Sequence, residues 1–437
     1  FVQHARGKVN TMPVGVGVIG AGVVGGGAIR TLLTHRNVIQ TRSGVDVALV
    51  HVAELDQTRL AEFDLQGVTV SDDAEKLIAD PNVQIVCELI GGLEPAKTFI
   101  LEALNAGKHV VTANKILLAY HAPELSRAAI ENNVELRYEA AVAGGIPIIR
   151  AVREGLAADH IKALYGILNG TCNYILSRMT EDGLEFEEAL RQATELGFAE
   201  TPPDLDIEGQ DTAHKCQILT SLSFSTEVEF DDLYIEGITK ITHADVVYAH
   251  KLGYAIKLLA IIQDREEGIE ARVHPTLVPH THQLAAVRNE FNAVYVESDV
   301  ADATLYYGRG AGRFPTASAV IADVAEVARG LGATPAPSFV YAAKRPVLDI
   351  GAVISRYYIR LTTLDKPGVL GKVCTILGKS GVSIASFIQQ EVRDDKPVPV
   401  VLMTHETLES DLRKALEEID QLDFIRETTH VIRVLQE

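Results

Sequence analysis

The chain has 437 residues, of which 47% are hydrophobic, and a formal net charge of −19. This length predicts roughly two to four domains with room for a buried core. The acidic balance argues against non-specific nucleic-acid binding, which needs clustered Lys and Arg to contact phosphates. No apolar run is long enough to span a bilayer, and no apolar signal segment precedes the first predicted strand. We therefore expect neither a nucleic-acid partner nor a membrane partner.

The cysteines Cys87, Cys172, Cys216 and Cys374 are widely spaced and form no CxxC pair. This spacing suggests neither a zinc site nor a disulfide framework. A reducing cytoplasm is the simplest location for such a chain.

The first predicted domain, residues 12–137, alternates strands and helices, and Met12 is its expected natural start. The strand VGVGVI, residues 14–19, is followed at once by a helix from about Val23, and further continuously apolar strands come after it. Such alternation predicts a parallel sheet covered by helices on both faces. We therefore predict an α/β fold with a Rossmann-like nucleotide-binding domain.

Two regions with different patterns follow. Residues 138–304 mix helical stretches with longer strands, which predicts an α+β domain for substrate binding and dimerisation. In this region the amphipathic helix FEEALRQATELG should end at Gly197, because glycine is typical of helix C-termini. Residues 353–437 give the order βαββαβ, which predicts a C-terminal ferredoxin-like domain.

The stretch GVIGAGVVGGG carries the spacing Gly20-x-Gly22-x-x-Gly25 between the first strand and the first helix. The first glycine permits a tight turn, the second lets the backbone approach a pyrophosphate, and the third lets helix and strand pack closely. Val23 and Val24 open the helix, whose free N–H groups favour an anion. We predict a dinucleotide site here, with a purely structural turn as the alternative.

The second strand ends in HVAELD, which places Glu54 and Asp56 beside the predicted nucleotide. An acid there accepts hydrogen bonds from the ribose hydroxyls of NAD, whereas the 2′-phosphate of NADP requires a nearby arginine. Arg59 follows the strand end at a short distance in sequence. These residues favour NAD over NADP, and the alternative is that the acids are simply solvated.

Two lysines stand where a reacting group would be useful. Lys115 follows the strand HVV, at the edge of a doubly wound sheet that faces the ligand crevice. In GFAETPPDLDIEGQDTAHK, Asp211 and Lys215 are spaced i, i+4 and would share one face of a helix. Taken alone, Lys115 is equally a surface residue at a helix start, and the pair is equally a surface salt bridge of little worth.

Several stretches together resemble one family. ELIGG followed by Glu94-Pro95-Ala96, then VTANK, EAAVAGGIPII, GILNGTCNYIL, GFAETPPDLDIEGQDTAHK and GRGAGRFPT, occur in order over essentially the whole chain. The chain resembles homoserine dehydrogenases, and LDKPGVLGKVCTILGKSGVSI resembles the regulatory ACT domain that many bacterial members carry. The resemblance implies interconversion of L-aspartate 4-semialdehyde and L-homoserine with NAD or NADP. This reaction belongs to threonine, methionine and isoleucine biosynthesis.

The resemblance also implies roles within the acidic stretch. Lys215 matches the proton donor and acceptor, and Asp206 matches a residue implicated in the geometry of hydride transfer. Glu200 and Asp211 match residues that bind the amino-acid substrate. Lys115 is expected to contact the cofactor or the substrate carboxylate.

Further cofactor contacts are implied at the backbone of Gly197 and Gly312. We expect the helix after Pro315 to pack on the first domain. The nucleotide-binding domain would then resume over about residues 305–348.

One position departs from the family pattern. The family often has tyrosine where this chain has Phe198, so the role of that hydroxyl must be absent or met by another donor. Thr171 and Tyr174 are the candidates nearby in sequence. Asp204 and Glu208 are expected to be solvated or structural.

The stretch EAAVAGGIPII resembles a monovalent-cation loop built mainly from backbone carbonyls of Glu139, Val142, Gly144 and Ile146. A hard cation such as Na⁺ suits oxygen ligands of this kind. The alternative is a tight turn that joins two domains.

The ACT-like tail predicts an amino-acid effector, with threonine as the expected one, although such a unit could serve dimerisation alone. We expect a homodimer or a homotetramer. Two functions other than homoserine dehydrogenase remain as alternatives. A phosphorylating semialdehyde dehydrogenase would need Cys172 as its nucleophile. A catalytically silent amino-acid sensor would not require both Lys115 and Lys215.

Overall fold

A computed structural model of the chain describes residues 12–199, 201–389 and 397–436. The chain divides into two compact units. The first extends to Ala157 and resumes over Arg309–Ala342, and the second comprises Ala158–Gly308 and the chain from Ala343 onward. The predicted boundaries of three domains stay a prediction.

Strands and helices account for most of the described residues. The strands are β1 (Val14–Ile19), β2 (Val47–Ala53), β3 (Thr69–Ser71), β4 (Ile85–Glu88), β5 (His109–Thr112), β6 (Leu136–Arg137), β7 (Ile161–Ile167), β8 (Tyr234–Ile235), β9 (Tyr254–Asp264), β10 (Ile269–Pro279), β11 (Phe291–Ser298), β12 (Ala303–Arg309), β13 (Ile354–Thr363), β14 (Ile384–Gln389), β15 (Val398–Thr404), β16 (Thr407–Leu408) and β17 (His430–Val434). The helices are α1 (Val23–Ser43), α2 (Ala74–Ala79), α3 (Ala96–Asn105), α4 (Lys115–Glu131), α5 (Ile148–Arg150), α6 (Gly170–Glu181), α7 (Phe186–Glu195), α8 (Asp204–Ile207), α9 (Gln210–Phe224), α10 (His243–Lys251), α11 (Arg313–Gly330), α12 (Val369–Lys379) and α13 (Glu409–Asp420). Among the residues described, no helix combines the length and apolarity needed to cross a membrane.

In the first unit, β1 to β6 form a parallel sheet in the order β3-β2-β1-β4-β5-β6. The central strands β1 and β4 are almost wholly buried, as expected when helices cover both faces of a parallel sheet. In this doubly wound order, ligands bind beyond the carboxyl ends of β1 and β4, where the strand order reverses. The predicted α/β fold with a Rossmann-like domain is confirmed.

Helices α1 and α11 pack closely in this unit. A Cβ on Gly27 of α1 would lie 2.3 Å from the carbonyl oxygen of Arg313, so glycine allows the close approach. Ala317, Val320 and Val324 of α11 are buried in the same hydrophobic core as strands β1 and β2. The helix predicted after GRGAGRFPT therefore lies in the first unit.

In the second unit, the described strands form one sheet with the order β12-β11-β7-β9-β10-β17-β13-β15-β14. Strand β8 pairs with β10, and β16 pairs with β13. The last strand, β17, runs parallel to β10, with Thr276 opposite Arg433 and Leu277 opposite Val434. The C-terminal segment therefore shares a sheet with the residues that precede it.

The C-terminal segment has the strand order β17-β13-β15-β14. Its hydrophobic core joins Tyr357 and Leu361 of β13 to Val373 of α12 and Leu412 of α13. The predicted ferredoxin-like arrangement is confirmed.

Candidate active site

The carboxyl ends of β1, β2 and β4 border a cleft of about 400 Å³ in the first unit. Gly20 and Gly22 line it after β1, Glu54 and Arg59 after β2, and Gly91 after β4. This is the crevice in which doubly wound sheets bind their ligands. The cleft therefore lies where the glycine fingerprint predicted a dinucleotide.

The turn between β1 and α1 requires glycine at two positions. Gly20 has a φ of +91°, a left-handed conformation that glycine adopts at no steric cost. A Cβ on Gly25 would lie 1.9 Å from the carbonyl oxygen of Gly20. At Gly22, by contrast, the nearest atom to a Cβ is Nη1 of Arg59, 3.8 Å away. Gly25 thus packs the helix against the turn, while Gly22 faces open space suited to a pyrophosphate.

The first turn of α1 contains Val23, which is exposed, and Val24, which is half-buried. As described, that turn carries no acidic residue, and Gly22 precedes it without a capping side chain. The N–H groups and dipole at this helix end therefore suit the phosphates of a dinucleotide.

Glu54 is buried at the end of β2. Its Oε2 accepts the N–H of Ala21 at 2.5 Å, and its Oε1 accepts the N–H of Asp56 at 2.9 Å. Arg59, which is 54% exposed, has nitrogens 4.0 Å from Glu54 and 3.5 Å from Asp56. Glu54 thus joins β2 to the fingerprint turn, and a cation lies beside the two acids predicted to select NAD.

Lys115 is the first residue of α4, and two residues separate it from the carboxyl end of β5. Its neighbour Asn114 caps the helix by accepting the N–H of Leu117 at 3.1 Å, and donates to the carbonyl of Gly92 at 2.6 Å. Lys115 therefore stands at the ligand edge of the sheet, half-buried. Its contacts with cofactor and substrate stay predictions.

Helix α9, in the second unit, carries the predicted reacting pair. Asp211 lies in its first turn and Lys215 one turn later, and each is only 8% exposed. Nζ of Lys215 donates to Oδ2 of Asp211 at 2.6 Å and to the carbonyl oxygen of Leu168 at 2.7 Å. A lysine this buried needs such partners because desolvation penalises a charge. The pair is therefore not the exposed salt bridge that spacing alone also allowed.

Asn169 connects this pair to a second carboxylate. Its Nδ2 donates to Oδ2 of Asp211 at 2.8 Å and to Oδ1 of Asp206 at 2.7 Å. Its Oδ1 accepts the N–H of Cys172 at 2.7 Å, which caps α6. One amide thus holds both carboxylates at the start of α6. Sequence reasoning missed Asn169, although an asparagine before a predicted helix is an N-cap signal.

The acids of the stretch around α8 differ in environment. Asp206 is half-buried, whereas Asp204 and Glu208 are exposed, as expected for solvated residues. Glu200, the predicted substrate-binding glutamate, lies outside the described residues.

The two glycines predicted to contact the cofactor both end or begin helices. Gly197 follows α7 with a φ of +74°, the left-handed conformation typical after a helix C-terminus. Gly312 precedes α11 with a φ of +126°. The predicted end of α7 at Gly197 is confirmed, and the contacts of both glycines with the cofactor stay predictions.

Cys172 is fully buried, and burial raises the pKa of its thiol well above the ordinary value, aided by the charges of Asp206 and Asp211. Its Sγ donates to the carbonyl oxygen of Asp206 at 3.2 Å. A cysteine nucleophile needs a lowered pKa and access to its substrate. The environment of Cys172 therefore opposes a thiol-dependent semialdehyde dehydrogenase.

Phe198 stands where the family often has tyrosine, and its ring lies 5.0 Å from that of Tyr174. The hydroxyl of Thr171 donates to the carbonyl oxygen of Phe198 at 2.7 Å. Thr171 therefore uses its proton to hold this segment, and is a poor replacement for the family's tyrosine hydroxyl.

Glu139, in the predicted cation loop, is buried with its carboxylate turned to the backbone. Its oxygens accept the N–H groups of Ile149 at 2.9 Å and Arg150 at 2.8 Å, and its own N–H donates to Asp323 at 2.8 Å. Burial raises the pKa of both carboxyls, that of Asp323 to about 7. The Glu139 side chain thus caps α5, which leaves its backbone carbonyl as the group to consider for a cation.

The remaining loop residues form a compressed turn. Gly144 has a φ of +47°, and a Cβ there would lie 2.4 Å from the carbonyl oxygen of Gly310. The carbonyl of Ile146 accepts the N–H of Ile148 at 2.8 Å. No group of three or more His, Cys, Asp or Glu side chains in the described ranges is arranged around a metal. A cation at Val142, Gly144 and Ile146 would therefore depend on backbone oxygens, which suits a hard monovalent ion.

A dinucleotide crevice in a doubly wound sheet, together with a buried lysine held by a carboxylate, defines an oxidoreductase of the NAD(P)-dependent class. Residues 20–139 match the NAD-binding domain of homoserine dehydrogenase, residues 147–325 match the homoserine dehydrogenase family, and residues 357–424 match the ACT domain. The chain belongs to the homoserine dehydrogenase family.

Relatives support this over nearly the full length. The chain is 42% identical over 429 residues to homoserine dehydrogenase of Neisseria gonorrhoeae, covering 97% of this chain and 98% of that protein. It is 42% identical over 432 residues to that of Pseudomonas aeruginosa, covering 97% and 99%. A solved homoserine dehydrogenase from Thiobacillus denitrificans is 43% identical with a TM-score of 0.91, covering 97% and 98%. The chain is thus an NAD(P)-dependent oxidoreductase of amino-acid biosynthesis with a C-terminal ACT domain.

Proposed function

We propose that Lys215 is the proton donor when L-aspartate 4-semialdehyde is reduced, and the proton acceptor when L-homoserine is oxidised. The observation that carries this role is the burial of Lys215 between Asp211 and the carbonyl of Leu168. NAD(P)H, when bound, supplies the hydride. Hydride addition leaves negative charge on the aldehyde oxygen, and a positioned ammonium can neutralise it by proton transfer.

The ammonium group of Lys215 and the substrate are positioned by Asp206, Asp211 and Asn169. The amide of Asn169 donates to both carboxylates, and this partly offsets the repulsion between their negative charges. We assign Glu200 and Asp211 to the binding of the substrate's α-ammonium, and Asp206 to the geometry of hydride transfer. Lys115 is assigned to the cofactor or the substrate carboxylate, because it follows β5 at the ligand edge of its sheet.

The cofactor preference is set by the residues after β2. Glu54 and Asp56 support NAD through the ribose hydroxyls, and we retain NAD as the proposed preference. Arg59 in the same cleft offers a cation to the 2′-phosphate of NADP. Measuring kcat/KM with both cofactors tests this, and a large advantage for NADP would overturn it.

A monovalent cation, Na⁺, is proposed at the backbone carbonyls of Glu139, Val142, Gly144 and Ile146. The compressed turn at Gly144 and the engaged Glu139 carboxylate support carbonyl rather than carboxylate ligation. A cation there would stabilise the loop and supply no reacting atom. Thermal unfolding measured in Na⁺, K⁺ and a bulky organic cation tests the site through a raised Tm in the preferred ion.

The ACT domain is proposed to bind threonine as a feedback effector. A cavity of about 340 Å³ lies at the start of α12, lined by Asp365, Gly368 and Gln389 among others. The amide of Gln389 donates to Asp365 at 3.1 Å, and α12 presents its N-terminus to the cavity. A carboxylate suits the helix end and an ammonium suits Asp365. We expect the enzyme to act as a homodimer or homotetramer.

Homoserine-dependent reduction of NAD and NADP, with and without threonine, tests the function as a whole. We expect turnover without added phosphate and inhibition by threonine. A Cys172→Ser variant should keep most of the turnover, because the thiol is not the nucleophile. Turnover that required phosphate and Cys172 would support the semialdehyde dehydrogenase instead. Absence of turnover together with threonine binding would support the sensor.

A further inference from the structure

The short strand β8 and the three residues after it lie beside the long strand β10. Tyr234 pairs with Arg272 and Ile235 with Val273, in parallel orientation. The N–H of Glu236 then donates to the carbonyl oxygen of Val273 at 2.8 Å. This segment, Tyr234–Ile238, has no role in the reaction described above, and we call it the linking segment.

On one side, the linking segment is bound by Arg433 of the C-terminal strand β17. Nη1 of Arg433 lies 3.0 Å from Glu236, Nη2 donates to the hydroxyl of Tyr234 at 3.2 Å, and the guanidinium lies 4.8 Å from the centre of the Tyr234 ring. Arg433 is itself buried and held by Glu409, whose Oε2 accepts its Nε–H at 2.7 Å. The ACT domain thus contacts the segment through a rigid, charge-assisted set of bonds.

On its other side, the linking segment touches the turn that leads into helix α9. A Cβ on Gly237 would lie 2.1 Å from the carbonyl oxygen of Ile207 and 2.4 Å from Cα of Glu208. The N–H of Ile238 donates to that same Ile207 oxygen at 2.8 Å. Gly209, which precedes α9, would place a Cβ 3.4 Å from the carbonyl of Glu236. The turn between Asp206 and Asp211 therefore rests directly on this backbone.

We propose that Glu236 and Arg433 are positioning residues: through the linking segment they set the placement of the Asp206–Asp211 turn, and hence of Lys215. The proposal rests on the function proposed above for Lys215. Close-packed contacts without a side chain at Gly237 leave no space to absorb a displacement, so a shift of β17 moves the turn. The same route would carry an effector signal from the ACT domain to the reacting pair.

Two variants of the full-length chain test the segment from its two sides. Glu236→Gln keeps the shape of the side chain and leaves Arg433 paired with Glu409, so folding is preserved. It should lower kcat by about 2- to 30-fold, the range of coupling through packed networks. Gly237→Ala forces the turn at Ile207 to move and should lower kcat by roughly 10- to 100-fold. Both should leave the NADH dissociation constant within about twofold of wild type, because the nucleotide cleft lies in the first unit.

Matched control variants separate a positioning role from a general loss of rigidity in the second unit. Gly378→Ala adds a Cβ that meets nothing within 4 Å outside its own stretch of helix α12, and should leave kcat unchanged. Arg360→Lys disturbs another bond between the ACT domain and the preceding residues, the 2.7 Å contact of Nε with Asp245, which does not involve the Asp206–Asp211 turn. A larger kcat loss in Arg433→Lys than in Arg360→Lys supports the proposal, and equal losses overturn it.

A double-mutant cycle of Glu236→Gln with Arg433→Lys tests whether the two residues act on kcat through one contact. We expect the two losses in kcat to be less than multiplicative, because both changes act through one contact. Multiplicative losses, or a folded Gly237→Ala variant with wild-type kcat, would overturn the proposal. A Lys215→Ala variant is measured alongside: if it retains turnover, the proposed function fails, whatever Glu236 does.

Discussion

The nucleotide cleft of the first unit and the cluster around Lys215 in the second unit are built in opposite ways. In the cleft, the decisive feature is the absence of side chains, as at Gly25, where a Cβ would lie 1.9 Å from a carbonyl oxygen. In the cluster, the decisive features are buried side chains, with Lys215, Asp211 and Asn169 joined by bonds of 2.6 to 2.8 Å. A site formed by backbone atoms tolerates substitution of nearby surface side chains. A buried charged site, in contrast, depends on each of its hydrogen-bond partners.

We expect the strongest loss when a side chain is added at Gly25 in the nucleotide cleft. Gly25→Ala should lower the NADH affinity by more than about 100-fold and the free energy of unfolding by about 2 to 3 kcal/mol, because α1 must move away from the turn at Gly20. Fluorescence titration and denaturant unfolding measure the two changes. Gly22→Ala is the control: its Cβ meets no atom closer than 3.8 Å, so stability should stay at the wild-type value while affinity falls. Equal loss of stability in both variants would contradict the assignment.

The second unit holds another buried charged group, whose contribution to stability depends on pH. Asp245, in the second unit, is fully buried. Burial alone would raise its pKa, but the neighbouring His430 and Arg360 prevail and hold the pKa of that carboxyl well below its usual range. A depressed folded pKa contributes stability above the unfolded value of about 3.9, and that stability is lost as pH falls below it.

Asp245→Asn should therefore lower the free energy of unfolding by about 3 kcal/mol at pH 7, because Arg360 is left buried without its partner. The difference from wild type should shrink as pH is lowered from 5 to about 3, because only wild type loses this contribution. Urea unfolding across that range measures it. A difference that is constant with pH would contradict the ionic role of Asp245.

A more selective change tests the cluster. Asn169→Ser keeps a residue that caps helix α6 but removes the amide that joins Asp206 to Asp211. We expect kcat to fall by roughly 10- to 100-fold as the carboxylates separate, with stability changed by less than about 1 kcal/mol. Steady-state kinetics beside thermal unfolding separates the two effects. Unchanged kcat would show that the amide is only a cap.

The mildest change in activity is expected at Arg59, on the rim of the nucleotide cleft. Arg59→Gln removes an exposed cation and should lower kcat/KM with NADP about 5- to 10-fold, while that with NAD changes by less than about twofold. The ratio of the two values is the measurement. An equal change for both cofactors would remove Arg59 as a determinant of cofactor choice.

The features that could be predicted from sequence are those whose cause is local. The Gly20-x-Gly22-x-x-Gly25 spacing predicted the turn, and i, i+4 spacing placed Asp211 and Lys215 on one helix face. The glycine at position 197 predicted the end of α7. In each case a single turn of backbone contains the whole signal.

The features that were missed join distant segments. Asn169 lies 37 and 42 residues from its two carboxylate partners, so its local N-cap signal could not indicate that it joins them. The pairing of β17 with β10 was also unforeseen, because strand partners are chosen by tertiary packing. That pairing means that removal of the ACT domain would uncover β10, so point substitutions are better tests of regulation than truncation.

The most direct test of the proposed role of Lys215 measures kcat and the NADH dissociation constant of one variant. Lys215→Ala should lower kcat for homoserine oxidation by about 10²- to 10⁴-fold, the usual contribution of a positioned proton donor or acceptor. Its NADH dissociation constant should stay within about twofold of wild type, because the nucleotide cleft belongs to the first unit. Lys257→Ala, at another buried lysine of the second unit, controls for the loss of a buried charge. Turnover by folded Lys215→Ala comparable to wild type would contradict the role of Lys215 as proton donor and acceptor.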